Sequence, residues 1–332
     1  MHAVLLVLAS SPLAAQEDEP VFAELERLFK RPYLSVGVLV QAVADLQIER
    51  AAPGQNGFSL ANARLNVGGH LDAGFGYFLQ ANFINTPTVL DAWGSWRFTP
   101  SLEVLVGQTK APFSHEFLTV ASSIDFVNRA QVVSALAPGR QLGAQLAIGR
   151  RESTVGLSVG VFNGNGFAAN GNDGDGFLAV GRLTASLTPG EGATLLLGGN
   201  IGYAEDDAAP IPGITASFNG ERALVGADGR FTSGPLLVSG EVIYSRLEVP
   251  AGAVFEPWGF HATGGYMLSA KSQLLFRWDR LDPDIADATD LLIFGLNVWP
   301  TKATEIQVNY LIDTDASDFD NHQVLVNFQV GF

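Results

Sequence analysis

The chain has 332 residues, 37 of them glycine and none cysteine, with a formal net charge of −15. The lack of cysteine removes disulfides, thiolate metal sites and cysteine nucleophiles. The acidic balance excludes a nucleic-acid partner, which would require a basic face. An apolar share of 47% is too high for a disordered chain, and the extra glycine suits turns and curved strands better than helices.

The opening residues, MHAVLLVLASSPLAAQ, run apolar from Ala3 to Ala9 and then turn small. They read as a secretory signal covering residues 1–15, cut after Ala15. The stretch is too short for a spanning helix, and no later segment reaches ~18 consecutive apolar residues. Residues 16–32 read as a short periplasmic segment. In it Val21, Phe22, Leu25, Leu28 and Phe29 recur at helical spacing among charges, and Pro32 closes the run.

From Tyr33 the period changes to two and stays so to Phe332. YLSVGVLVQAVADLQI sets Leu34, Val36, Val38, Val40, Ala42, Ala44 and Leu46 on one face. FSLANARLNVGGHL sets Ala63, Leu65 and Val67 opposite Asn62, Arg64 and Asn66. In GFGYFLQANFIN, Phe75, Tyr77, Leu79, Ala81 and Phe83 oppose Gln80 and Asn82. The pattern recurs through LDAWGSWRF, SLEVLVGQ, RQLGAQLAIG and ten further segments, ending on HQVLVNFQVGF. About sixteen strands result, of the ~9–11 residues that a tilted strand needs to cross a bilayer.

The links alternate in length. Short turns (LDAG, TPS, GRRE, TPGEG, TSG, SAKS, WPTK) occur at every second junction. Longer links fall between them, among them AEDDAAPIPGITAS, DTDASDFD and the stretch from Thr109 to Gly139. Strict alternation of short and long ends predicts an all-β, transmembrane, antiparallel up-and-down β-barrel over residues 33–332. Closure has a physical cause: hydrocarbon leaves no backbone group unpaired, and joining first strand to last removes both open edges. Trp93, Trp96, Phe98, Trp258, Phe260, Trp278 and Trp299 lie near strand ends, where aromatic girdles belong.

Several runs then carry a family likeness: FSLANARLNVGGHLDAGFGYFLQANF, VLVGQTKAPFSHEFLTVASSIDFVNRA, APGRQLGAQL, GVFNGNG, LLFRWDRLDPD and the terminal Phe332. On these the chain resembles the phosphate-selective porin O and P family of outer-membrane porins. The resemblance implies a homotrimer of sixteen-stranded barrels in the bacterial outer membrane, each with a narrow water-filled pore. The terminal Phe332 fits the signal that such proteins present to the barrel assembly machinery. The chain departs from the phosphate-selective members by trimmed outer loops, the lack of an obvious ladder of pore arginines and lysines, and its acidity.

The expected function is therefore passive diffusion of small hydrophilic solutes, with anions such as phosphate among the candidates. Outer-membrane lipid and lipopolysaccharide are the surrounding partners; no enzyme activity, cofactor or metal is called for. By strand parity Arg64, Arg97, Arg182, Lys271 and Arg277 point inward, as do Asp45, Asp91, Glu103, Glu241, Asp279 and Glu305. Rings of one sign select counter-ions, whereas a mixture selects weakly or sets a field across the lumen. The third link is too long to be idle and too apolar to be disordered. It is expected to fold into the barrel and leave Lys110, His115, Arg129 and Arg140 near the constriction, with Arg64 and Arg277 facing them. Arg129 and Arg140 could equally pin the loop to wall carboxylates.

Two rival functions remain at this stage: a barrel-housed hydrolase and a plugged structural or adhesive barrel. The G-x-S-x-G match at Gly156–Gly160 lies inside an alternating strand, where its elbow cannot form. Ser114 and His115 are neighbours but have no evident third partner. The acidic loops Asn170–Gly176 and Asp313–Asp320 lack the acid that closes a Ca²⁺ loop and read as solvated. Divalent ions bridging them to lipopolysaccharide phosphates are the alternative.

Overall fold

A computed structural model describes residues 20–47, 56–149, 154–172, 174, 176–314 and 322–332. The signal segment and nearly all of the acidic run 313–320 lie outside the described residues. Helix α1, Pro20–Phe29, forms where the apolar stripe repeats at helical spacing. Its Phe29 ring stands 6.2 Å from that of Phe332.

Among the described residues seventeen antiparallel strands follow: β1 (Ser35–Gln47), β2 (Gly57–His70), β3 (Phe75–Asn82), β4 (Thr88–Thr99), β5 (Leu102–Lys110), β6 (Arg140–Ile148), β7 (Val155–Phe162), β8 (Leu178–Leu187) and β9 (Ala193–Ile211). Then come β10 (Thr215–Ser233), β11 (Leu236–Glu248), β12 (Val254–Phe255), β13 (Trp258–Ser269), β14 (Ser272–Asp282), β15 (Thr289–Thr301), β16 (Thr304–Asp313) and β17 (Gln323–Gly331). Strand β12 has two residues and pairs only with the end of β11, so sixteen strands make the wall. Each wall strand pairs with the next in sequence. Closure comes from β1, which pairs β2 on one side and β17 on the other. Leu39 sits opposite Gly331, and Gln47 opposite Gln323.

The two faces of the wall are reversed relative to a soluble sandwich. On β17, Asn327 is 1% and Gln329 7% exposed, whereas Phe328 and Val330 on the other face are 50% and 37% exposed. The same inversion runs round the wall, with Val40, Leu65, Leu79, Val106, Ile201, Val225, Leu274 and Phe294 all exposed. So continuous an apolar exterior requires hydrocarbon outside it. Aromatic groups rim both ends. Phe75, Trp96 and Phe98 stack near the short turns, and Trp258, Phe260 and Trp278 group at the end of the long links.

One link differs from its sequence reading. AEDDAAPIPGITAS is not an open loop. Strands β9 and β10 run to 19 residues each and meet in a turn of three. The buried face runs on through it, on Ala204 and Asp206 and, after a one-residue slip at Asp207–Ala208, on Ala209 and Ile211, and Arg222 pairs with Asp206 across the hairpin at 2.7 Å. Beyond the bilayer nothing limits strand length, so a ribbon with a buried face simply extends.

Candidate pore site

Between β5 and β6 the chain folds into α2 (His115–Leu118), a 3₁₀ turn (Ala121–Ser123) and α3 (Gln131–Leu136). Ser114 starts α2 by accepting a hydrogen bond from Phe117 N at 3.0 Å. The backbone of this segment, residues 111–139, needs partners wherever no ladder supplies them. The polar face of the wall provides these. Ser114 N donates to Asn200, Glu116 N to Glu241 and Gln131 N to both oxygens of Asp279. Val127 N donates to Asn309 at 2.8 Å. Going the other way, Asn297, Gln307, Gln329 and Gln41 donate to the carbonyls of Asp125, Ile124, Ser122 and Ala121. These contacts explain why the polar face from β15 to β1 is rich in Asn and Gln: each amide both donates and accepts.

Two ion pairs reinforce the seam. Glu116 meets Arg277 at 2.5 Å, with both side chains buried; Asp125 meets Arg230 at 2.6 and 3.0 Å. Burial alone would push the Glu116 carboxyl up, but Arg277, His261 and the Ala130 N–H together hold it below its ordinary range. Burial pushes His115 below its ordinary value.

Apolar packing completes this side. Phe113, Val132, Val133 and Leu136 join Phe162, Leu178, Leu224, Ile243 and Leu247 in one buried cluster. Gly226 and Gly259 make room for it: a Cβ there would stand 3.3 Å from the Phe113 ring and 3.0 Å from Val132.

Against β2–β6 the arrangement is different. Arg64, Lys110, Arg129 and Arg140 lie close enough to act on one another, with Asp91 as the acid among them. Asp91 takes both donors of Arg140, at 3.0 and 3.1 Å. Lys110 donates to the carbonyls of Phe117 and Thr119, and Arg129 to those of Glu116 and Thr119. Arg64 donates to Asn62 and Gln80. A cavity of about 800 Å³ lies here, walled by Arg64, Asp91, Lys110 and Arg140 and reaching Trp299 and Phe332 at the turn end. A second, of about 360 Å³, shares Arg64 and Ala121 with it and continues past Arg129 and Asn128.

Four of the six expected residues are thus brought together: Arg64, Lys110, Arg129 and Arg140. His115 and Arg277 line a separate chamber of about 220 Å³, with Glu116, Asp125, Glu241 and His261. Arg277 is 1% exposed and faces the large cavity nowhere. Sequence reading missed Glu116 and Asp125 as anchors; the arginines at polar parity on β10 and β14 were the available signal. Ser114 is fully buried as the cap of α2, and Gly156–Gly160 lies within β7.

Comparison with known proteins places the molecule in context. Residues 40–208, just over half of the chain, match the family model described as phosphate-selective porin O and P. Among solved structures, an anion-selective porin from Comamonas acidovorans superposes with a TM-score of 0.69 at 14% identity, covering 90% of this chain and 99% of that one. The outer-membrane channel DcaP of Acinetobacter baumannii gives 0.60 at 14% identity, covering 90% and 97%. OmpT of Vibrio cholerae in its trimer form gives 0.62 at 10%, covering 90% and 99%. No curated protein matches the sequence.

Proposed function

The chain belongs to the phosphate-selective porin O and P family, and from that premise we propose that residues 111–139 fold inward as the third loop and set an anion-preferring constriction. The protein is an outer-membrane porin. Its closed, polar-lined barrel passes small hydrophilic solutes by passive diffusion. The observation that carries the anion preference is a charge imbalance. Near the loop, the β2–β6 side gathers Arg64, Lys110, Arg129 and Arg140 against Asp91. Elsewhere in the interior Arg182, Arg222, Arg230 and Arg277 each meet a carboxylate. Unmatched guanidinium and ammonium groups in a narrow aqueous passage raise the local anion concentration and offer charge-assisted hydrogen bonds. In this reading His115 and Arg277 act as anchors of the loop, and the solute meets the other four.

Family and fold speak for a channel rather than an enzyme, and the hydroxyl of Ser114 is spent on capping α2. The reading extends to a homotrimer in the bacterial outer membrane, supported by the trimeric form of the Vibrio cholerae OmpT neighbour. It also includes lipopolysaccharide around the outer rim, recognition of Phe332 by the barrel assembly machinery, a cleaved signal over residues 1–15 and a periplasmic segment over 16–32. Reversal potential across a planar bilayer in a KCl gradient tests the selectivity. The expected sign is that of chloride, reduced in Arg64→Ala and Arg140→Ala. A cation-selective wild type overturns the reading.

A further inference from the structure

The large cavity holds more than charge. Phe78 and Trp93 are cross-strand partners on β3 and β4. Their rings stack with centroids 5.5 Å apart at 28°, and both are half-buried and line the cavity with Arg64, Lys110 and Arg140. Glycines in the same row leave room for the pair. Gly68 faces Phe78, and Gly107 faces Trp93. A Cβ on Gly68 would come within 2.8 Å of the Phe78 ring, and one on Gly107 within 3.0 Å of the Trp93 Cβ. The next row toward the long links carries Gln80 opposite Asp91. Two residues along a strand is about 7 Å, so the aromatic surface lies one row beneath the Asp91–Arg140 pair. That offset is about the length of an aromatic ring bearing a carboxylate.

We infer that Phe78 and Trp93 form a stacking subsite directly below the cationic constriction, and that the cavity takes planar aromatic carboxylates in preference to aliphatic ones. The inference rests on the anion-preferring constriction proposed above. The carboxylate engages the Arg64, Lys110 and Arg140 side of the cavity, and the ring lies against the Phe78–Trp93 surface by offset or edge-to-face stacking. Inorganic phosphate, with no ring, uses only the upper part. The indole also offers a face to which no other aromatic ring of the described residues besides Phe78 is packed.

Block of the chloride current in planar bilayers tests this, with benzoate, cyclohexanecarboxylate, acetate and phosphate added in turn to the wild type. Benzoate and cyclohexanecarboxylate share charge and approximate size and differ in the π face. The expected result is block by benzoate about three- to tenfold tighter than by cyclohexanecarboxylate, the range that an aromatic pair supplies. The difference should vanish in both Phe78→Leu and Trp93→Leu while the reversal potential in KCl stays at its wild-type value. Equal block by the two acids in the wild type overturns the subsite, as does a benzoate preference that survives both variants. Loss of chloride selectivity in the wild type defeats the constriction instead, so the two failures are told apart. Should Trp93→Leu not fold, Phe78→Leu and the wild-type comparison still decide.

Discussion

Residues 111–139 meet two different surfaces of the wall. Toward β7–β14 they are packed and paired, with Phe113 and Val132 in an apolar cluster and Glu116 and Asp125 each on an arginine. Toward β2–β6 they leave cavities of about 800 and 360 Å³, where Arg64, Lys110, Arg129, Arg140 and Lys302 outnumber the acids Asp91 and Glu305. The difference shows how a porin divides its interior. One wall is given over to holding the loop, through apolar packing and the Glu116–Arg277 and Asp125–Arg230 pairs. The other is left open, with Arg64, Lys110, Arg129 and Arg140 on the cavities. A cation has opposite value on the two sides, since a buried one without its partner is costly and a solvated one selects.

Breaking the packed side should give the largest effects. Arg277→Met strands the Glu116 carboxylate in a buried site, at a cost of about 3–5 kcal/mol. The expected readout is a lower unfolding temperature together with a larger, noisier single-channel conductance as the loop loosens. Phe113→Ala opens a cavity in the apolar cluster and should cost about 3–5 kcal/mol, with the same paired readout. If conductance stays at the wild-type value in both variants, the loop does not depend on this wall.

Acid should act on the same seam. Glu116 is held below its ordinary pKa of 4.5, mainly by Arg277 against the opposing effect of burial. A depressed carboxylate contributes stability that is full above its unfolded value and is lost as pH falls through the folded one. Channel noise should therefore be constant from pH 7 to about 5 and rise only below the ordinary carboxylate range. Glu116→Gln should remove that rise. An onset near neutrality would point to another group.

The open side should respond more gently. Removing one cation by Arg64→Ala or Arg140→Ala should lower the anion-to-cation permeability ratio about twofold, the size of a single charge acting through water over several ångströms. Unfolding temperature should move little for Arg64→Ala, whose partners are Asn62 and Gln80. The smallest effect belongs to Arg246→Ala on the exposed rim, whose partner Glu248 is also solvated. Neither selectivity nor stability should change beyond error.

Much of this was legible in the residues. Period two, alternating link lengths and a polar face opposite a greasy one predicted every wall strand, because the bilayer imposes the same rule at each crossing. The third link stood out by length and brought forward Lys110, Arg129 and Arg140, and parity turned Arg64 inward; in the structure these four lie near one another. His115 was read as a fifth member, yet α2 turns it toward Asp228 and Arg230 on the other wall. The β9–β10 link, AEDDAAPIPGITAS, read as a long link, and a one-residue slip at Asp207–Ala208 does interrupt period two there before the buried face resumes at Ala209 and Ile211. Leu224 and Ile243 put apolar side chains on the inward parity of β10 and β11. They are the floor on which Phe113 and α3 rest.

The sequence by itself determined that the chain forms a closed tube in lipid, since side-chain periodicity and turn spacing are local and hydrocarbon penalises every exception. Only the tertiary structure decided which wall the loop leans on, and so which arginines are buried in pairs with its carboxylates and which line the open cavities. That choice depends on contacts between residues 80 to more than 200 positions apart, such as the fit of Phe113 against Gly226 and of Glu116 against Arg277. No local pattern encodes them.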